Sequence, residues 1–482
     1  MALNSHSNVD GSSLATVTSI GGEAEPADFP AKVFSSHDGL EGEQPSRPDR
    51  VLLTNIAWML VGNVLYGFSQ WGQLVALAKV GTIEMVGNFA LALAVCLPVL
   101  MFSSLSLRSL QVTDYKRTHR FLEYMGLRLL MLCISLPFIA AFGMAAGYSS
   151  AVVLSTVLIS AAKAVEYVSD ILYGSLQQQE NMSGIAISMS LRAILSVGAL
   201  SLGVYLTNSL AWGAVCLLAS SSFVLLAYDI PKSLAVSKLP FKLLLSECSF
   251  YFTTVMAKGG LKRLWKLGMA GLPLGFVLMM VSLNLNIPRY FIQQRLGTPE
   301  LAIFSAIATL LSAGSVVTNA MGQAAAPRLA KCFANRDHRG FNVLLAALVV
   351  ASLGLGSLGF LGAVLFGKQA MAFIYRPEYS THQDVLLWLM GASGFFYLGS
   401  TLGYAVTAVR CFKPQLPLFA GAAVITAIGC IALVPLQGLR GAAMAILISA
   451  VIQCAGSARL LWNARKTARN ETAAIPNFQV TA

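Results

Sequence analysis

The sequence is poor in charge. Lys, Arg, Asp and Glu make up 11% of its 482 residues, where a soluble domain carries about 25%. With 56% hydrophobic residues, that shortage excludes an ordinary soluble domain and describes a membrane protein with several spans. Cysteine pattern is missing too. The eight cysteines, Cys96, Cys133, Cys216, Cys248, Cys332, Cys411, Cys430 and Cys454, form no CxxC pair and no Cys/His cluster. Neither a disulfide framework nor a metal site is expected from that spacing, and no cofactor is implied. The apolar runs are joined on one side by short connections only, the longest about 368–384. That leaves no room there for a catalytic domain.

Basic residues outnumber acidic ones by 33 to 21. The acids are enriched at the start: residues 1–50 hold eight acidic and three basic residues. This stretch is rich in Ser, Gly, Asp, Glu and Pro. It lacks the continuous apolar segment of a signal peptide, so a disordered acidic tail is expected. The remaining positive charge lies between apolar runs instead of on a soluble patch. That reads as membrane topology and gives no reason to expect nucleic acid.

A spanning helix needs about 20 mostly apolar residues. Twelve such runs are expected, at 52–78, 85–107, 121–146, 149–175, 184–206, 209–229, 267–289, 300–325, 341–367, 384–409, 417–437 and 441–463. If the chain starts in the cytoplasm, cytoplasmic segments hold 24 Lys and Arg and external segments six, namely Lys79, Arg289, Arg295, Lys368, Arg376 and Arg440. The positive-inside rule then places both termini in the cytoplasm. The expected organisation is a tail at 1–50, a six-span lobe at 51–229, a basic cytoplasmic linker at 230–266, a second six-span lobe at 267–464 and a tail at 465–482. Within the linker, "TVMAKGGLKRLWKLG" sets Leu261, Leu264 and Trp265 among Lys258, Lys262, Arg263 and Lys266. Such a pattern suits either a helix lying on the inner membrane surface or simple anchoring.

Polar residues inside the spans are not scattered. Asn55, Asn63, Tyr66, Gln70 and Gln73 keep to one face of the first span, and Ser305, Thr309, Ser312, Asn319 and Gln323 to one face of the eighth. Five polar side chains in a row are more than interhelical bonding requires, and point to a wet cavity. The fourth span carries Lys163, Glu166 and Asp170 at intervals of three and four, with Gln177 continuing the face. Arg128 and Arg192 enter from the flanking spans. Each charge costs about 2.5–3.5 kcal/mol at the centre of a lone span, so the five are expected to converge. Glu166 and Asp170 repel each other, and Arg128 or Arg192 is the expected partner. The acids are candidates for taking up a proton or small cation. Pro98, Pro137, Gly271, Pro273 and Pro288 permit bends in the spans, which suits rocking of one lobe against the other. The lobes share only a weak likeness, "FALALAV" (89–95) and "FSAIATL" (304–310), each followed by a basic residue, Arg108 or Arg328.

Four stretches resemble a known family. "GNFALALAVCLPVLMFSSLSLRSLQVTD" (87–114), "YGSLQQQENMSGIAISMSLR" (173–192), "SLNLNIPRYFIQQRLGTPELAIFSA" (282–306) and "MGQAAAPRLAK" (321–331) resemble, in order, segments of bacterial polysaccharide and O-antigen flippases of the Wzx type. These belong to the multidrug/oligosaccharidyl-lipid/polysaccharide exporter superfamily. The resemblance covers roughly 50–340 and implies an all-α polytopic protein, with two six-helix lobes in a V around a central cavity. It implies a multi-pass protein of the bacterial inner membrane and no enzyme. Its cargo would be an undecaprenyl-pyrophosphate-linked oligosaccharide, moved by alternating access coupled to H+ or Na+, with membrane lipid and other polysaccharide-assembly proteins as partners. On that reading Arg128, Lys163, Arg192 and Arg289 would meet the pyrophosphate. Asn63, Gln70, Gln73 and Asn319 would meet sugar, and Glu166 and Asp170 would couple the ion. The mixed sign of the fourth span departs from the family's cationic cavity. A cation-coupled drug exporter and a peptidoglycan-precursor flippase keep the fold and change the cargo. A membrane-embedded glycosyltransferase or polymerase would need an acid-bearing loop, which the short connections do not supply.

Overall fold

The computed structural model describes residues 47–114, 118–237, 260–409, 411 and 414–473. Residues 465–473, expected in the C-terminal tail, continue the last helix; residues 1–46 and 474–482 of the expected tails and 238–259 of the linker lie outside the described residues. Within them the chain is helical, and long helices fall where the apolar runs predict.

The first half contains α1 (Arg47–Val80), α2 (Ile83–Ser104), the short α3 (Leu107–Thr113), α4 (Phe121–Ala145), α5 (Ser150–Gln178), α6 (Met182–Thr207), α7 (Leu210–Val224) and α8 (Ile230–Ser237). A π-helical turn, Leu225–Asp229, joins α7 to α8 without a break. The second half contains α9 (Gly260–Arg295), α10 (Thr298–Ala334), α11 (His338–Ile374), α12 (Gln383–Ala408), α13 (Gln415–Gln437) and α14 (Leu439–Ala473). Among the described residues, eleven helical segments are long and apolar enough to cross a membrane, with α7, the π turn and α8 acting as one of them. The polar α1 is a further helix of spanning length, at 34 residues. Side chains start several helices: Thr82, Asn181 and Asp337 accept from the backbone N–H of Met85, Gly184 and Gly340.

Each half packs as a lobe. In the first, α5 lies against α2, α4 and α7, and α6 against α7; in the second, α12 lies against α10, α11 and α14, and α13 against α14 and α9. The lobes meet where α2 packs on α9 and α10. Gly271 and Gly275 of α9 make that seam close. A methyl group on Gly271 would sit 2.6 Å from the Leu105 carbonyl oxygen, and one on Gly275 2.8 Å from that of Phe102.

Two expectations are corrected. Leu261, Leu264 and Trp265 do not form a separate surface helix; they are the first turns of α9, which runs unbroken to Arg295. Leu264 packs with Leu105, Leu107, Tyr124 and Leu127, while Leu261 and Trp265 stay exposed. The second span does not run straight to 107, because Leu105 and Ser106 both adopt left-handed backbone angles, φ 47° and 50°. Such angles cost about 1–2 kcal/mol per non-glycine residue. They turn α3 back against α5.

Call the end of the bundle carrying the α4–α3 and α5–α6 turns the terminal face, since α1 starts and α14 ends on that side. At the opposite face the lobes are tied. Lys79 Nζ donates to the Phe373 carbonyl at 2.7 Å, and Arg376 Nη2 donates to the carbonyls of Gly81 at 2.9 Å and Lys79 at 3.2 Å. Below them Trp71 donates to the Tyr375 hydroxyl at 3.1 Å, and Tyr375 to the Ala306 carbonyl at 2.7 Å. The polar stripes change along the same axis. Gln73, Ser305 and Thr309 are buried; Asn63, Ser312, Asn319 and Gln323, nearer the terminal face, are exposed. The lobes are thus bonded to each other at the opposite face, and the two polar stripes become less buried toward the terminal face.

Replacing Arg376 with Ala removes two of the three bonds across this closure. Hydrogen exchange at 76–82 and 372–378 is expected to speed up about tenfold or more, by analogy with other locally opening segments. Unchanged exchange at both segments would mean the closure is held by the aromatic layer alone.

Candidate functional site

The face predicted on α5 is the centre of the site. Ser150–Gln178 is one uninterrupted helix, so spacings of three and four stack Lys163, Glu166 and Asp170 along it. Three groups of partners meet that face.

Nearest mid-membrane, Lys163 Nζ donates to Gln70 Oε1 at 2.8 Å and to Glu166 Oε1 at 3.1 Å. The Tyr66 hydroxyl donates to Glu166 Oε2, and its ring lies 5.9 Å from the Lys163 ammonium. Here α1 is bound to α5 through a polar stripe and an ion pair together. Gln73, one turn further on, donates to Ser196 of α6 at 3.0 Å. It is fully buried in this conformation.

One turn toward the terminal face, Asp170 is shared. Arg108 Nη1 lies 3.2 Å from Oδ1 and Arg128 Nη2 3.3 Å from Oδ2. Arg108 also donates to Gln177 Oε1 through Nε (3.1 Å) and Nη2 (3.0 Å). The two guanidinium groups lie over the rings of Tyr173 and Tyr167, at 5.6 and 5.5 Å. The strained turn at Leu105 and Ser106 is what aims Arg108 here. Asp114 fixes the other end of α3. It accepts from the backbone N–H groups of Thr118 (3.0 Å) and His119 (2.9 Å) and from the Tyr124 hydroxyl (3.2 Å). Slight burial opposes its charge, but those hydrogen bonds outweigh it and hold the carboxyl below the usual carboxylate range.

Behind α5 lies a third group. Arg192 Nη2 donates to Asp229 Oδ2 at 2.8 Å and to Ser169 Oγ at 2.7 Å. Ser169 and Ser188 both donate to Asp229, and Ser188 shares a hydrogen bond with Tyr173. The expected pairing of Arg192 with Glu166 or Asp170 is not what forms; Asp229 takes it. The π turn holds Asp229 buried, and the sixth span does not stop at 229 but runs on to Ser237.

Two guanidinium groups keep unused donors. Arg128 is 0% exposed and Arg192 3%, yet Nε and Nη1 of each lack a hydrogen-bond partner among the described residues. Buried donors without partners are costly. In total Arg108, Arg128, Lys163 and Arg192 face Glu166, Asp170 and Asp229, leaving one positive charge in excess.

Among the described residues, the second lobe has no counterpart to this cluster. Arg289 of α9 donates to Asn286 Oδ1 at 2.8 Å and has no acidic partner among the described residues. Asn319 accepts from Ser400 at 3.1 Å, and Asn63 donates to the Met59 carbonyl. The structure thus joins Gln70, Arg128, Lys163, Glu166 and Asp170, sets Arg192 just behind them, and keeps Asn63, Arg289 and Asn319 apart. Sequence reasoning missed Arg108, which looked like a loop charge, and Asp229, at a span end. Among the described residues no three His, Cys, Asp or Glu side chains gather as metal ligands do.

Asp229→Asn leaves Arg192 charged and unpaired in a dry site. Removing one member of a buried pair costs about 3–5 kcal/mol, so thermal unfolding of the purified protein should begin at clearly lower temperature. Asp170 is 29% exposed, and Asp170→Asn should lower the unfolding temperature much less. Equal losses would assign both acids the same structural task.

Comparison with known proteins adds the following. The profile of a family described as polysaccharide biosynthesis protein matches residues 52–333. The chain is 26% identical over 399 residues to the capsular polysaccharide biosynthesis protein CapF of Staphylococcus aureus, covering 83% of this chain and 96% of that protein. Among solved structures, the inward-facing conformation of a multidrug resistance MATE family transporter of the MOP superfamily aligns with a TM-score of 0.61. It shares 14% identity and covers 89% of this chain and 99% of the other. A MATE in its straight conformation aligns with a TM-score of 0.57 at 15% identity, covering 88% and 97%. A MOP superfamily transporter from Pyrococcus furiosus, reported to have a binding pocket of reversed polarity, aligns at 0.52 with 14% identity, covering 88% and 97%. At such identities the likeness is one of fold.

Proposed function

The chain belongs to the polysaccharide biosynthesis protein family, and from that premise we propose that it flips a lipid-linked oligosaccharide repeat unit across the bacterial inner membrane. The carrier would take a polyprenyl-diphosphate oligosaccharide from the cytoplasmic leaflet and release it on the other side. The excess of Lys and Arg in the connections of the terminal face supports placing that face, with both termini, in the cytoplasm. That side, where the polar stripes are less buried, is then where cargo loads.

The single observation carrying this reading is Arg128. It is wholly buried in a spanning helix, tied to one shared carboxylate, and keeps donors without a partner. A diphosphate supplies what it lacks: several anionic oxygens in the fork geometry a guanidinium prefers. Arg108 and Lys163 stand on either side of it along the α5 face and complete the head-group site. Arg192 sits behind Ser169 and sets the field from the rear. Arg289 offers a cation without a carboxylate in the other lobe, for the head group once the lobes have rocked. Asn63, Gln70 and Asn319 are suited to sugar hydroxyls, and Gln73 joins them if α1 shifts. Glu166 and Asp170 are the groups for coupling to H+ or Na+, because each shares a network with cations that the cargo also seeks. Membrane lipid surrounds the carrier, and the enzymes that build and polymerise the repeat unit are its functional partners.

Cells depleted of the protein should accumulate single repeat units on polyprenyl diphosphate, detectable by mass in lipid extracts, and lose surface polysaccharide. Arg128→Gln and Lys163→Gln should each lower export about tenfold or more at unchanged membrane levels, in line with loss of a charge-assisted contact. Intact polysaccharide without accumulation would move the function to drug-type export on the same fold.

A further inference from the structure

Among the three acids of the cluster, Asp170 differs in how it is held. Asp229 is 1% exposed and takes hydrogen bonds from Arg192, Ser169 and Ser188. Glu166 is 10% exposed, clasped by Lys163 and Tyr66. Asp170 is 29% exposed, and unlike the other two it takes no hydroxyl hydrogen bond among the described residues: it has a single contact of 3.2 Å to Arg108 and a single contact of 3.3 Å to Arg128. A guanidinium and a carboxylate that fit each other make two parallel bonds of about 2.7–2.9 Å. Neither arginine has that here. One carboxylate is stretched between two guanidinium groups from different helices.

We propose that Asp170 is a resident counter-ion that occupies the arginine pair in the empty carrier and is displaced from it by the diphosphate of the cargo. The inference rests on the lipid-diphosphate reading above. The geometry carries it in three steps. Arg108 and Arg128 converge on a point reached from the exposed side of α5. The occupant of that point, Asp170, uses one donor of each, while Nε and Nη1 of Arg128 stay without partners. Two phosphoryl groups can give each of two guanidinium groups a bidentate partner, where one shared carboxylate gives each a single contact.

Charge leads the same way. With Asp170 in place the seven groups carry one net positive charge. With Asp170 withdrawn, the four cations face Glu166 and Asp229 alone and carry two, matching the two negative charges of a diphosphate diester. The groups around Asp170 are Arg108 from α3, Arg128 from α4, and Glu166, Tyr167, Tyr173 and Gln177 on α5, with Arg192 and Asp229 beyond Ser169. None besides the two arginines competes for its oxygens. Asp170 therefore lowers the affinity for cargo, and its return to the arginines helps cargo leave.

The test uses the full-length protein in lipid nanodiscs, titrated with farnesyl diphosphate and, separately, with farnesol. Wild type should bind farnesyl diphosphate and bind farnesol far more weakly. Arg108→Gln and Arg128→Gln should weaken diphosphate binding at least about tenfold. Asp170→Asn should bind about tenfold tighter, the worth of one competing charged contact, gain more thermal stabilisation from the ligand than wild type, and export more slowly. Asp170→Ser, smaller and neutral, should tighten binding likewise. If the arginine variants weaken binding but neither Asp170 variant tightens it, the counter-ion inference falls and the diphosphate reading stands. If neither Asp170 variant yields folded protein, Asp170 is a structural ion partner and the inference falls. If wild type binds no diphosphate, or binds farnesol equally well, the diphosphate reading itself falls and the inference goes with it.

Discussion

A charge within a membrane has to be met by another charge or by water, and that requirement organises the first lobe. Lys163, Glu166 and Asp170 project from one face of α5, and the surrounding chain bends to meet them. The backbone at Leu105 and Ser106 adopts left-handed angles, which would be unfavourable anywhere without compensation. Here the turn delivers Arg108 to Asp170. The π turn at Leu225–Asp229 spoils the regular hydrogen-bond ladder of a spanning helix, and in return carries Asp229 to Arg192. Both local irregularities sit where an ion pair across helices offsets them. Helix packing and charge pairing are thus the same construction: α1, α3, α4, α6 and the α7–α8 helix are each fastened to α5 by a polar or ionic contact.

The two lobes are unequal as a result. The second lobe is tied by hydroxyl and amide contacts, such as Thr426 to Asn284 and Ser352 to Thr401, and its interior arginine Arg289 answers to an amide. The charged groups are therefore distributed asymmetrically, dense around α5 and sparse around α9; on the proposed reading an anionic head group would meet a field of that asymmetry. The closure at the opposite face involves backbone carbonyls of the α1–α2 turn and of the α11 end. Such contacts are few, short-ranged and free of buried charge pairs. They can be broken without leaving an unpaired ion behind, as a movable closure requires. The α2–α9 seam, with backbone pressed on glycine, is the tighter junction and suits a pivot.

Much of this was legible in the sequence, and the limits of that legibility have a physical cause. Spans are written in runs of some 20 apolar residues, so α2, α4–α6 and α9–α14 fall close to where hydropathy places them. The α5 face and the stripes of α1 and α10 are written in the helical period, a local signal. Pairings between distant segments carry no such period. Arg108 lies 62 residues from Asp170, Asp229 lies 37 from Arg192, and Arg376 lies 295 from Gly81. Only the fold brings them together. Two of the displaced boundaries, at 107 and 229, fall at the irregular turns that these pairings hold in place. Trp265 misled for a related reason: an amphipathic run beside a membrane looks the same whether it lies on the surface or begins a span, and its helical continuation to Arg295 decides the matter.

The likeness to multidrug transporters concerns the scaffold, and a scaffold does not choose its cargo. Charge chooses it. A cationic drug drawn into this lobe would meet four cations against three acids, each acid already engaged. On the proposed reading, a site of this sign would repel such a cargo and attract an anion. Yet an arginine cluster with no acids near it would hold a diphosphate too well, because a carrier gains nothing from affinity that is equal before and after it changes shape. The acids resolve that conflict. They keep the empty carrier close to neutral, which limits the cost of burying its charges. They also leave a margin of one positive charge across the seven groups, which on the proposed reading would let an anion be held without being trapped.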